Sequence, residues 1–195
     1  MQDFDTEVSH FLQIQTPVSG CKAIQILGFT GCSARTMYIA GGVAVGFYCD
    51  TRFTDDLDAF YDARVGLGGV DVLVRYEDQE GVDRVCYLDT NYNPTIGLLH
   101  EDFDRDAIDW DGIQVRNQKV RVKVLAPVDL AVTKIDRYSE QDVADILELA
   151  QRKLFTAAAF EHRATEAMCA CPCNRERTKN SIRHLVNAIE KVRAS

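Results

Sequence analysis

The sequence predicts an α+β fold with strands in the centre and helices behind them. Three observations carry the expectation. β-rich runs lie between Met37 and Leu125, helical spacing governs the chain after Pro127, and Gly41-Gly42 divides a short apolar run from a stretch with helical potential. No internal repeat or low-complexity tract interrupts this order.

Taken along the chain, Val8–Ile14 carries a weak helical stripe that Thr16-Pro17 breaks, Ala23–Phe29 reads as strand or helix, and Gly31–Ser33 marks a turn. Met37–Ala40 reads as a strand, Gly41-Gly42 as a turn and Val43–Cys49 as a helix. Thr51–Thr54 is a polar connector, and Asp55–Phe60 alternates in the manner of a half-buried strand. Beyond a loop at Gly66–Gly69, Val70–Tyr76 and Val82–Leu88 flank Glu77–Gly81, a hairpin signature. Thr90–Asp111 is polar, acidic and turn-rich, and fixes no element. A second hairpin is expected from Ile113–Val115 and Val120–Leu125, turning near Asn117-Gln118.

Pro127 suits the first turn of a helix over Val128–Asp136, because its missing N–H would be unpaired there anyway. Ser139 with Asp142 three residues later is an N-cap signature, and Val143, Ile146, Leu147 and Leu149 give the next helix its apolar face. After Gln151 the chain reads as helical to its end, broken at Cys171-Pro172-Cys173. Ile182, Leu185, Val186, Ile189 and Val192 recur at helical spacing in that tail. Residues 1–150 are therefore expected to form the main domain, and residues 151–195 a helical segment packed on it.

Composition narrows the function. The 195 residues are 46% hydrophobic and 27% charged, which permits a packed core. A net charge of -8 speaks against a tight sequence-independent grip on nucleic acid, leaving local basic patches at Arg116–Lys123 and Arg175–Arg193. Acidic residues crowd Asp50–Asp62 and Glu101–Asp111, where a divalent cation, and through it a phosphate, fits better. The seven cysteines are odd in number and four of them are scattered, so reduced thiols in a cytoplasm are expected rather than a disulfide framework. Cys169, Cys171 and Cys173 stand one residue apart, a poor match to the paired spacing of structural zinc sites, so a loop of reduced thiols is the favoured reading. No apolar stretch approaches the roughly 20 residues of a membrane span. A cytoplasmic protein without a membrane partner is the expectation.

The chemistry concentrates between Gly41 and Asp58. On a strand, alternate side chains face opposite sides, so Asp56 and Asp58 share a face that Asp55 and Leu57 do not. Two carboxylates so close repel each other unless a cation lies between them or one is protonated. Mg²⁺ suits the pair, because it takes one or two protein carboxylates and fills its other positions with water and phosphate oxygens. Without Cβ atoms, the backbone at Gly41-Gly42 can approach a ligand closely, and the helix behind it aims N–H groups at an anion. Phosphate at the glycine turn and metal at the strand form a coherent phosphoryl-transfer geometry.

Gly41-Gly42-Val43-Ala44-Val45 followed by Arg52-Phe53-Thr54-Asp55-Asp56-Leu57-Asp58 resembles the signature of DNA-polymerase-β-like nucleotidyltransferases. A second block, Ala126-Pro127-Val128-Asp129-Leu130, Lys134-Ile135 and Asp142-Val143-Ala144-Asp145-Ile146, is similar to the minimal, AbiEii-like branch associated with toxin–antitoxin and phage-defence systems. The resemblance spans roughly Met37 to Leu149. It implies a nucleotidyltransferase-like mixed β-sheet flanked by helices, and transfer of a nucleoside monophosphate from an NTP to a hydroxyl with Mg²⁺ (or Mn²⁺) as cofactor. RNA, a protein side chain or a small molecule would be the acceptor, and an antitoxin a partner. By the same resemblance Asp56 and Asp58 would hold the metal, Gly41 and Gly42 would contact the triphosphate, Lys134 would neutralise phosphate charge, Asp142 would orient groups at the rim of the NTP site, and Asp89 would complete the catalytic carboxylates, with Asp71 as the other choice. Thr54, flanking the carboxylate strand, is a further NTP-binding candidate that could equally cap or bridge locally.

Two features set the chain apart from that pattern. Gln141 stands where an arginine is expected before Asp142, and the third carboxylate is not unambiguous. They keep open the alternative of a catalytically degenerate nucleotide-binding or partner-docking protein of the same fold. Local chemistry also offers plainer roles: Lys134 as an exposed helix lysine, and Asp142 and Asp145 as first-turn acids favoured by the helix dipole.

Overall fold

The computed structural model describes residues 12–14, 35–49, 56–61, 73–77, 83–89, 97–110, 113–115 and 120–194. Eight strands and six helices alternate in these segments: β1 (Leu12–Ile14), β2 (Arg35–Ile39), α1 (Gly41–Cys49), β3 (Asp56–Tyr61), β4 (Leu73–Glu77), β5 (Asp83–Asp89), α2 (Phe103–Asp106), β6 (Ile108–Asp109), β7 (Ile113–Val115), β8 (Val120–Val124), α3 (Pro127–Thr133), α4 (Glu140–Gln151), α5 (Ala157–Ala170) and α6 (Arg175–Ala194). The expected α+β fold is the one observed. Six strands form one mixed sheet in the order β4-β5-β3-β2-β8-β6. β2 runs parallel to β8 and β3 parallel to β5, whereas β2–β3, β4–β5 and β6–β8 are antiparallel.

β2 lies inside the sheet, so its residues from Met37 to Ile39 are buried irrespective of parity: Met37 and Ile39 are wholly inaccessible and Tyr38 nearly so. Tyr38 stacks on Phe60 of β3, and Phe103 of α2 meets both rings edge-on. The expected hairpin of β4 and β5 is present as an antiparallel pair. Its turn lies outside the described residues, as do the readings made at Gly31–Ser33, Thr51–Thr54, Gly66–Gly69 and Asn117-Gln118.

Three expectations are corrected. Ile113–Val115 does not form a hairpin with β8; it pairs antiparallel with β1, Leu12 opposite Val115 and Ile14 opposite Ile113. Both edges of β8 are already taken, by β2 and β6. Leu12–Ile14 is accordingly strand, not the end of a helical stripe, because a long-range partner overrides a weak local pattern. The helix begun by Pro127 stops at Thr133, short of Asp136. There Lys134 and Ile135 donate to the carbonyls three residues back, a tightened turn, and Tyr138 enters the left-handed region at φ 52° to swing the chain into α4.

Helix ends are fixed by local chemistry. Ser139 caps α4 reciprocally: its hydroxyl accepts from the Asp142 N–H while the Asp142 carboxylate accepts from the Ser139 N–H. Thr156 caps α5 through the Ala159 N–H at 3.1 Å. α1 packs on β3, α3 and α4, and the tail closes over the same body through contacts of α5 with α3 and of α6 with α4. Phe160, Ile182, Leu185 and Ile189 thereby join one continuous apolar core with the strand residues. Arg163 of α5 clamps the buried Asp129 of α3 through Nε at 2.7 Å and Nη2 at 2.8 Å. Among the described residues no helix is long and apolar enough to cross a membrane.

Candidate active site

The chain leaves β2 through Ala40, whose N–H donates to the Asp58 carbonyl at 2.8 Å. That bond pins the start of α1 against β3. Gly41 then adopts φ +59°, a conformation that side-chain-bearing residues rarely take. A second constraint coincides with the first. A Cβ on Gly41 would lie 1.7 Å from Asp58 Oδ2 and 2.6 Å from its Cγ, so the carboxylate occupies the space of the missing side chain. Gly42 is buried behind it in the first turn of α1. The half-buried Asp58 therefore stands at the N-terminus of a helix, where the leading N–H groups lack intrahelical partners and carry partial positive charge.

Asp56 lies two residues earlier on β3. Across the parallel β3–β5 pair, the Cα partner of Asp56 is Tyr87 and that of Asp58 is Asp89. The three acids singled out in the sequence thus occupy neighbouring positions on adjacent strands. Thr54 and Asp71 lie outside the described residues. An aspartate beside a glycine turn offers hard oxygen donors of the kind Mg²⁺ takes, next to N–H groups that suit phosphate.

A second cluster sits in the turn between α3 and α4. Lys134 is 4% exposed; its Nζ lies 2.8 Å from Asp145 Oδ2 and 3.6 Å from Asp142 Oδ1. Gln141 completes Asp145 by donating from Nε2 to Oδ1 at 2.9 Å. Arg137 grips Asp142 with two bonds, Nε to Oδ2 at 2.7 Å and Nη2 to Oδ1 at 2.5 Å. Lys134 and Asp142 are thus brought together, inside a compensated network of two cations and two anions. Arg137 escaped the sequence reading because the motif places its arginine immediately before Asp142, whereas here a turn of the backbone brings one from five residues upstream.

Burial acts most strongly on Asp142 and disfavours its charge. The bonds from Arg137, from the Ser139 hydroxyl and from the Ser139 N–H, with the nearby Lys134 charge, outweigh burial and hold the carboxyl well below its usual range. A depressed folded-state value stabilises the protein above the unfolded carboxyl value of about 3.9, and that contribution is lost as pH falls below it toward the folded value. Denaturant melts of wild type should therefore weaken on acidification below about pH 4. Asp142→Asn should be weaker at neutral pH and show a shallower acid slope; parallel slopes would remove Asp142 from the account.

The remaining candidates lie elsewhere. Cys171 at the α5–α6 junction donates to the Gly97 carbonyl at 3.8 Å, and Cys169 is exposed. No group of three or more His, Cys, Asp or Glu residues is arranged to hold a metal among the residues whose side chains are described. His100 and His162, unrelated in sequence, converge on Glu166 of α5 at 3.2 and 2.9 Å.

A glycine turn opening a helix against a carboxylate-bearing strand, within a mixed sheet flanked by helices, is the architecture of the nucleotidyltransferase class. Residues 30–194 match the family described as nucleotidyltransferase of unknown function (DUF6036), and the chain belongs to that family. No curated protein matches the chain.

Proposed function

We propose that this protein is a Mg²⁺-dependent nucleotidyltransferase that moves a nucleoside monophosphate from an NTP to a hydroxyl acceptor. The observation that carries the reading is the contact of Gly41 with the Asp58 carboxylate, which sets a helix start whose N–H groups suit phosphate against a strand whose carboxylates suit a metal. Family membership supports it independently.

Asp56 and Asp58 would hold the metal, and Mg²⁺, when bound, would polarise the α-phosphate and balance charge on the departing pyrophosphate. The chain's own groups supply the rest. The N–H groups at Gly41 and Gly42 receive triphosphate oxygens, and the absence of a side chain at Gly41 lets the backbone come close. Asp89, in register with Asp58, accepts the proton of the attacking hydroxyl. Attack on the α-phosphorus forms the new P–O bond as the bond to the β-phosphate oxygen breaks, and the released group leaves as pyrophosphate. Lys134 and Asp142 shape the rim of the triphosphate site through their ion network.

The AbiEii-like branch, and with it the role of a toxin restrained by an antitoxin, is the setting that the Lys134 and Asp142–Asp145 block supports. Cytoplasmic RNA or a protein side chain is then the acceptor to try first. Incubation with α-labelled NTP, Mg²⁺ and either total RNA or cell protein should transfer label to one of them. Binding of NTP without transfer to any acceptor would replace this reading with the catalytically degenerate one.

A further inference from the structure

Of the four charged residues in the ion network that joins the α3–α4 turn to the start of α4, three are sealed: Asp142 is 0% exposed and Lys134 and Asp145 are each 4% exposed. Only Arg137, at 68% exposure, reaches solvent. Its orientation is nevertheless fixed. Nε and Nη2 are committed to Asp142, itself held by the Ser139 hydroxyl at 2.6 Å and by the Ser139 N–H at 3.1 Å. A guanidinium is a rigid planar fork with five donors, so clamping one edge presents the other edge in a set direction. That second edge, Nη1 with the remaining Nη2 proton, has no hydrogen-bond partner among the described residues.

Arg137 neighbours the candidate active site. α1 begins at Gly41 against Asp58 and packs on both α3 and α4, so the turn that carries Arg137 adjoins the Gly41–Asp58 corner. The charge on Asp58 is felt at Arg137, adding to the larger effect of the Asp142 bonds in raising its pKa. Gln141, which stands where the motif has arginine, cannot serve here, because its amide is turned inward onto Asp145. Lys134 is enclosed by carboxylates.

We propose that Arg137 is the cationic ligand of the NTP triphosphate, positioned by Asp142 and offering its open edge to the β- and γ-phosphates. The inference rests on the nucleotidyltransferase reading and reassigns within it the charge-neutralising role, with Lys134 and Asp142 acting as positioning residues. The open edge matches two phosphate oxygens, whereas an ammonium supplies only a point charge.

Calorimetric titration of wild type, Arg137→Gln and Arg137→Lys with Mg²⁺ and the tri-, di- and monophosphates of each nucleoside tests it. Wild type should bind more tightly with each added phosphate. Arg137→Gln should weaken triphosphate binding by about ten- to hundredfold, as expected for losing charge-assisted hydrogen bonds, and leave monophosphate binding nearly unchanged. Arg137→Lys should recover part of the loss. Unchanged triphosphate affinity in Arg137→Gln, or equal weakening for mono- and triphosphates, would overturn the inference while leaving the nucleotidyltransferase reading intact. Wild type that binds none of the nucleotides would remove both.

Discussion

Gly41→Ala is expected to lose activity far out of proportion to its loss of stability. A new Cβ would meet Asp58 Oδ2 at 1.7 Å while the backbone is held at φ +59°. The left-handed conformation alone costs a residue with a side chain about 1–2 kcal/mol. The overlap is relieved only by swinging Asp58 aside or by rotating the first turn of α1, and either change displaces the proposed metal ligand from the phosphate-binding N–H groups. A displacement near 1 Å at a reacting centre lowers turnover by about a hundredfold or more. Parallel measurements of pyrophosphate release and thermal midpoint separate the two effects. Wild-type turnover in a folded alanine variant would mean that the Gly41–Asp58 contact has no part in the chemistry.

The largest effect on stability is expected at Lys134. Lys134→Ala would leave Asp142 and Asp145 buried side by side without the buried cation between them, while Arg137 and Ser139 still donate to Asp142 and Gln141 to Asp145. Breaking a buried ion pair by removing one partner costs roughly 3–5 kcal/mol. In a protein of this size that lowers the midpoint by roughly 10 °C, at 2–4 °C per kcal/mol. Arg137→Gln should cost far less, because Lys134 and Ser139 still hold Asp142 and the lost partner is solvent-screened. Thermal melts of the two variants side by side test the contrast. Equal, small losses would show that Lys134 does not carry the buried network.

The contrast between Lys134 and Arg137 shows what a sequence can disclose. The strand–glycine–helix–strand segment was legible because each of its signals is local: an apolar run before Gly41-Gly42, an apolar stretch with helical potential after it, and alternation through Asp56-Leu57-Asp58. The capping of α4 by Ser139 was legible for the same reason. Roles in the α3–α4 turn were not, since they depend on where the turn tightens and on the left-handed Tyr138, neither of which a residue pattern encodes. Lys134 lies on a helical pattern that makes an exposed lysine the default, yet the early end of α3 directs it inward. The pairing of β1 with β7 joins residues about a hundred positions apart, and nothing near Leu12 or Val115 announces it. Asp89 is an intermediate case: ending a β-rich run made it a candidate, and only the β3–β5 register sets it opposite Asp58.

The central claim is metal-dependent transfer through Asp56 and Asp58. Its most direct measurement is pyrophosphate release from each of the four NTPs with Mg²⁺ and acceptor RNA or protein, comparing wild type with the double substitution Asp56→Asn/Asp58→Asn. Release by wild type that requires Mg²⁺ and falls to background in the double variant is the expected result. Equal release from both proteins would contradict the assignment of the two carboxylates.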